Sequence, residues 1–318
     1  MSGQPGAVGA RAGAGLTGVA LLVLHQRPSR RRARAAAVAE ALALLHDLAP
    51  TAPAGGPGGD RAGRFWVELP ERHLAAAVAR LPRLGYSTAV DLVEAAPPAA
   101  GRARVGGGRG PGWRLVRLHT EDPAGHREQA PDRREFLVEG GDGRIRAVRG
   151  YRGDGRALGR RGLPVCDARL LVNLVAPAGP GLLVDPFAGV GGVALAAAAA
   201  GWTAVTADRD PALRHGLARL GAGHLVADAR RLPLRPGSVD AVATEPPYDP
   251  TVGPLAAEVL AEVTRLLRPG GAMAWLCAAW QAPGLRGAAA GLGLRAALDT
   301  PVDRKGTPVV ALAWRKRF

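Results

Sequence analysis

Cysteine, clustered histidine, lysine and long apolar runs are all scarce in this chain, and each scarcity removes a class of explanation. The two cysteines, Cys166 and Cys277, fall in different predicted elements without metal-ligand spacing, so they read as reduced packing residues. The seven histidines form no His-x-x-x-His or Cys/His cluster, and no metal is expected. No apolar run reaches the roughly eighteen residues that a spanning helix needs. The apolar segment Leu16 to Leu24 leads into His25-Gln26-Arg27 rather than a small-residue cleavage site, so it is a poor signal peptide and the expected compartment is the cytoplasm. Lysine occurs only at 305 and 316, which leaves arginine to carry the basic character.

That character is strong. The formal net charge is +15 over 318 residues, with 25 basic against 15 acidic residues in 1–160 and 17 against 12 in 161–318. Basic side chains gain by releasing counterions from phosphates, so a polyanionic partner fits, above all for the N-terminal half. Abundant Ala, Gly, Pro and Arg are equally what a biased genome produces, and both readings stand. The length suits two domains, and the hydrophobic fraction of 47% is that of an ordinary protein with ample core.

The organising stretch runs from Leu182 to Pro250. It opens with LLVDPFAGVGGVALAAAAAGW, which predicts a buried strand, a tight turn carrying Gly189, Gly191 and Gly192, and an Ala-rich helix. Glycine in such a turn lets backbone N–H groups at the helix start approach a ligand closely. The turn departs from the dinucleotide fingerprint, because Ala194 stands where a third glycine belongs and Asp185 leads the turn. Strands follow that end at Asp208 and at Asp228, and a fourth delivers Glu245-Pro246-Pro247-Tyr248. Open α/β sheets place their ligands at that edge. Asp208 is the better candidate for a ribose than Asp210, which Pro211 assigns to a helix cap. Asp228 is followed by Arg230 and Arg231, so a surface ion pair is its other reading.

The ordered set DPFxGxGG, Asp208, Asp228-Ala229 and Pro246-Pro247-Tyr248 resembles the motif series of class I S-adenosylmethionine methyltransferases. DPFAGVGG with the upstream LLVNLV and the downstream TEPPY is most similar to the RNA guanine-N2 methyltransferases that often carry a THUMP domain and act on tRNA; the likeness covers about residues 160 to 280. It implies a seven-stranded, doubly wound Rossmann-like α/β sheet over 160–318 with S-adenosylmethionine as cofactor. By the same resemblance Asp185, Phe187, Ala188, Gly189, Gly191, Asp208, Asp228 and Ala229 surround that cofactor. Asn173 matches an asparagine of the family, with two roles open to it: a cofactor carboxylate or the helix end. Glu245, Pro246, Pro247 and Tyr248 become the catalytic segment. An exocyclic amine is a poor nucleophile, and acceptors on Glu245 and the Pro246 carbonyl would bind both its hydrogens while Tyr248 stacks on a flipped base. Related enzymes carry Asp, Asn or Ser in place of Glu245, and the extra methylene moves the acceptor by about 1.5 Å. The same chemistry serves DNA adenine-N6 or cytosine-N4 and protein glutamine-N5 methyltransferases, and an inactive RNA-binding relative is the non-enzymatic alternative. An RNA substrate, most plausibly tRNA, fits the basic half best.

The remainder reads as a tail over 1–14 and an N-terminal α+β domain over 15–155, interrupted by Gly/Pro/Arg linkers. Its predicted elements are a strand over 15–25, a helix over 31–48, a strand over 65–69 and a helix from Pro70 to Arg80. A strand with a short helix over 86–94 and short strands over 113–118, 134–138 and 144–151 complete it, the last two joined by a turn at 140–143. Arg30, Arg31, Arg32 and Arg34 are candidates for phosphate contact or a solvated arm. Trp66, Trp113 and Tyr151 are candidates for base stacking, against the reading of core aromatics. Arg315-Lys316-Arg317 reads as a solvated tail.

Overall fold

The computed structural model describes residues 18–53, 63–95, 113–128, 130, 133–149, 162–221, 223–249, 253–302, 304 and 308–318. The tail over 1–14, most of the two linkers, the side chain of Trp113 and Tyr151 lie outside the described residues. No helix among the described residues is long and apolar enough to cross a membrane.

The first part of the chain forms β1 (Val19–Gln26), α1 (Arg34–Leu44), β2 (Arg64–Pro70), α2 (Leu74–Arg80), β3 (Ser87–Ala95) and β4 (Trp113–Thr120). A short helix, α3 (Pro123–Glu128), and the pair β5 (Glu135–Glu139) and β6 (Ile145–Arg149) follow. The strands β2-β1-β3-β4 make one antiparallel sheet. The sequence VALLVLHQ is apolar on both faces because β1 is central: Leu22 and Leu24 enter the main core, while Leu21 and Val23 meet Trp66 on the other side. Trp66 is therefore a core residue, 5% exposed, and not a stacking platform. The segment 86–94 is a single strand without the short helix expected there, since β1 and β4 pair with both its edges. Helix α1 starts later than expected, after a 3-10 turn Pro28–Arg30, and a second such turn covers His46–Leu48.

The second part gives α4 (Val165–Val175), β7 (Leu182–Asp185), α5 (Gly192–Ala199), β8 (Thr203–Asp208), α6 (Arg214–Leu217), β9 (Gly223–Val226) and β10 (Val239–Thr244). It closes with α7 (Gly253–Leu266), β11 (Leu267–Ala278), α8 (Ala282–Gly291), β12 (Arg295–Val302) and β13 (Val309–Arg315). The sheet order is β12-β13-β11-β10-β7-β8-β9. Neighbours from β11 to β9 are parallel, and β13 runs antiparallel between β11 and β12. This is the seven-stranded doubly wound sheet expected, with its last strand inserted by a hairpin. Arg268 to Gly271, directly after α7, already belong to β11. Lys316 is no loose tail residue: its Nζ donates to the carbonyls of Thr264 and Leu267 at 2.8 and 2.7 Å, which holds the end of α7.

Two features redraw the division at 155. The β5–β6 hairpin, a two-stranded unit that cannot bury an apolar face by itself, docks on the second part. Phe136 and Val138 pack with Ala188, Val190, Leu213 and Leu217, and a Cβ on Gly216 would lie 2.2 Å from the Phe136 ring. Helix α4 in turn joins both parts. Its approach to the first is so close that a Cβ on Gly85 would meet the Cys166 carbonyl at 2.2 Å. Across this contact Arg30, 7% exposed, grips the fully buried Asp167 with Nε to Oδ1 at 2.9 Å and Nη2 to Oδ2 at 2.8 Å. Tyr86 donates its hydroxyl to the same carboxylate at 2.8 Å. Arg30 is thus removed from the set of phosphate contacts, because its charge is already answered inside the fold.

Candidate active site

The strand β7 lies between β10 and β8, so its end at Asp185 opens onto the middle of the sheet's carboxyl edge. The turn that follows needs left-handed backbone at two places, Gly189 (φ 51°) and Gly191 (φ 79°), which glycine adopts without penalty. It is held from β8: the Ala188 N–H donates to the Ala207 carbonyl at 3.0 Å and the Gly189 N–H to Asp208 Oδ2 at 2.9 Å. Asp208 Oδ1 takes the Asp210 N–H at 3.0 Å, and Asp210 caps the next turn through the Ala212 N–H at 2.9 Å, as Pro211 implied. A Cβ on Gly189 would meet nothing within 4 Å, whereas one on Gly191 would lie 2.3 Å from Leu220. The turn is packed from below and open above, which is the cradle that a cofactor requires. Arg134, leading into β5, donates to the Val190 carbonyl and ties the hairpin to this cradle.

Asp185 does not face the opening. It is 2% exposed, and its Oδ1 accepts the Thr244 hydroxyl at 2.6 Å and the Phe187 N–H at 3.2 Å. It shapes the turn and joins the ends of β7 and β10. Burial pushes its carboxyl up to about 7; the two hydrogen bonds oppose the rise, and the charges of Asp208 and Glu245 add to it. A carboxyl raised above its unfolded value of about 4 gives stability that is complete below that value and is lost as pH rises toward 7. The expected result is that Asp185→Asn, whose amide oxygen still accepts from Thr244, flattens this fall and exceeds the wild type in stability above about pH 7. Urea midpoints of both proteins across the range test it, and parallel curves refute it.

At the end of β10, Glu245 to Tyr248 turn across the same edge. Pro246 is buried, Tyr248 is half-buried against the core, and the Pro247 carbonyl accepts Gln281 Nε2 at 3.0 Å. Gln281 is itself fixed by the Ala278 N–H, which donates to its Oε1 at 2.9 Å. Glu245 Oε1 accepts the Tyr248 hydroxyl and Nη1 of Arg304. Burial raises the Glu245 carboxyl above its ordinary range, with Arg304 and Tyr248 opposing the rise. Gln281, Arg304 and the role of Thr244 were not legible beforehand, since each acts through a partner distant in sequence.

Of the other expected cofactor residues, Phe187, Ala188, Gly189, Gly191 and Asp208 do gather at the turn. Asp228 follows β9 and lies at the surface, where Arg230 binds it at 2.6 Å and holds its carboxyl down at about 2; Ala229 beside it is buried. Asn173 lies elsewhere. Its amide donates to Glu40 Oε1 at 2.8 Å and to the Arg83 carbonyl at 2.9 Å, which engages both of its hydrogens, and the helix end takes its backbone carbonyl instead of its side chain. It completes the shell of Glu40, a wholly buried carboxylate that also accepts the Gly85 and Tyr86 N–H groups at 2.7 and 2.9 Å.

Residues 184–275 match a family model described as a methyltransferase domain. Among solved structures, the chain is similar to TrmN from Thermus thermophilus, with 19% identity, TM-score 0.49, and 93% of this chain and 99% of that one covered. A 1,6-didemethyltoxoflavin-N1-methyltransferase from Burkholderia thailandensis is similar at 16% identity and TM-score 0.39, over 48% of this chain and 79% of that one. A geranyl diphosphate C-methyltransferase from Streptomyces coelicolor is similar at 15% identity and TM-score 0.40, over 48% and 76%. No curated protein matches the chain. None of these likenesses bears on the substrate. The matched segment, the strand order and the open glycine turn together make the second part of this chain a class I methyltransferase domain that uses S-adenosylmethionine.

Proposed function

We propose that this protein methylates an exocyclic amine of an RNA base, with guanine N2 of tRNA as the substrate that the motif resemblance favours. The observation that carries the reading is the 2.6 Å hydrogen bond from Thr244 to Asp185. It binds together the last residues of neighbouring strands, so the glycine turn and Glu245 to Tyr248 leave the sheet side by side. A donor held in one and a base held by the other then meet at one edge, where alignment supplies most of the rate.

The bound cofactor supplies a methyl group on a sulfonium. Phe187, Ala188, Gly189 and Gly191 would line its cradle, Asp208 would accept from the ribose hydroxyls, and Asp228 with Ala229 would border the adenine. Glu245 and the Pro246 carbonyl would accept the hydrogens of the target amine and orient its lone pair for transfer; Glu245 would also stabilise the positive charge that develops on nitrogen, which then loses one of these protons to Glu245 or to water. Gln281 fixes the Pro-Pro-Tyr turn by holding the Pro247 carbonyl. Tyr248 supplies the flat face for the base.

Basic side chains beside the glycine turn support an RNA substrate. The hairpin docked on the cofactor turn exposes Arg133, Arg144, Arg146 and Arg149, of which Arg146 pairs with Asp142. Labelled methyl transfer to total tRNA, genomic DNA and protein, followed by nucleoside mass spectrometry, tests the reading. Label in tRNA as N2-methylguanosine is the expected result; label confined to DNA or protein overturns it.

A further inference from the structure

Arg304 occupies both features that the proposed reaction needs. Its Nη1 donates to Glu245 Oε1 and, at 2.8 Å, to the Tyr248 hydroxyl. Its guanidinium carbon lies 5.7 Å from the centre of the Tyr248 ring. A planar donor placed on the carboxylate and over the aromatic face is what the target base must become. A guanidinium and the amine edge of a base share that pattern: coplanar N–H groups on an sp² carbon. A base that takes Glu245 Oε1 and this face of the ring must displace Arg304.

A second carboxylate is close by. Arg304 Nε lies 4.0 Å from Asp167 Oδ2, with 16% of the arginine side chain exposed and none of the aspartate. Asp167 is immobilised by Arg30 and Tyr86. A guanidinium that leaves Glu245 for Asp167 remains beside a negative charge, so the move avoids stranding a buried cation.

We propose that Arg304 is a specificity-determining residue: it fills the amine site until a ligand that competes for both Glu245 and Tyr248 displaces it toward Asp167. This rests on the assignment of Glu245 and Tyr248 as the amine site. An aliphatic amine lacks the flat face and does not displace it. A free nucleoside brings the face and edge but no more, whereas a base presented by RNA adds backbone contacts to the competition. Arg304 therefore sets a threshold that separates a base within its RNA from the same base free in solution.

Arg304→Ala and wild type are compared in equilibrium dialysis with labelled guanosine, adenosine and cytidine, in calorimetric titration with S-adenosylmethionine, and in methyl transfer to tRNA. If the open state is about a tenth of the wild-type population, nucleoside Kd falls about tenfold in the variant, while S-adenosylmethionine Kd is unchanged. Arg304→Lys, which keeps the charge without the plane, falls between. Circular dichroism checks folding, and Arg304→Gln replaces the alanine variant if that one is unfolded. Nucleoside binding no better than wild type overturns the proposal, as does a drop in kcat at unchanged KM, which marks a fixed partner of Glu245. If nucleoside affinity rises but neither protein labels tRNA, the displacement of Arg304 by a base stands, and the RNA substrate falls together with the threshold between bound and free bases. If both label tRNA with equal KM and nucleoside affinity is unmoved, the substrate reading stands and Arg304 is structural.

Discussion

Glu245→Ala is expected to lower methyl transfer by about 10²- to 10³-fold, the usual loss when one preorganised group facing a developing charge is removed. S-adenosylmethionine affinity should stay within about tenfold, under roughly 1.4 kcal/mol, because the cofactor cradle is built from β7 and β8 and not from Glu245. The variant also releases Arg304 and the Tyr248 hydroxyl from their shared acceptor. Glu245→Gln keeps an oxygen in place but not the charge, and its loss should be smaller. Single-turnover transfer of a labelled methyl group, with calorimetric titration of the cofactor alongside, measures both quantities. Unimpaired turnover by Glu245→Ala would remove the residue from the chemistry.

The second large effect concerns stability. Asp167→Ala leaves Arg30 buried without its bidentate partner and the Tyr86 hydroxyl without its acceptor, and it should cost about 3–5 kcal/mol. Asp167→Asn, which retains one accepting oxygen, should cost less. Urea unfolding followed by tryptophan fluorescence reads the loss as a lower midpoint. Because the pair joins α1's approach segment to α4, an early separate transition for the first part of the chain is expected in the alanine variant. An unchanged midpoint would mean that apolar packing between α1 and α4 holds the two parts together unaided.

What could be read in the residues follows a physical division. The glycine turn, the acidic strand end at Asp208, the cap at Asp210 and the Glu245-Pro246-Pro247-Tyr248 segment were legible because each works through local backbone: left-handed φ, a cap, a proline-stiffened turn. The strands that end at Asp185, Asp208, Asp228 and Glu245 were legible as short apolar runs between turn signals, and the full count of seven came from the family resemblance. Arg30 was misplaced for the opposite reason, which also hid the partner of Asn173. Each is a polar or amphipathic side chain whose partner lies far along the chain, Asp167 for Arg30 and Glu40 for Asn173. Spacing carries no information about such pairs. The hairpin over 135–149 was recognised as a hairpin, but its attachment to the cofactor turn depends on Phe136 meeting Gly216.

The amino-acid sequence alone determined the order of strands and helices and the glycine turn, which arise from periodicity and from backbone conformations that particular residues demand, and its motif resemblance singled out the residues proposed for the reaction. Only the tertiary structure decided which carboxylate faces the opening and which is buried, and that Arg304 sits on Glu245. It also decided that α4 fastens both parts of the chain to each other. Those outcomes depend on what burial does to charge, and burial is a property of the packed whole.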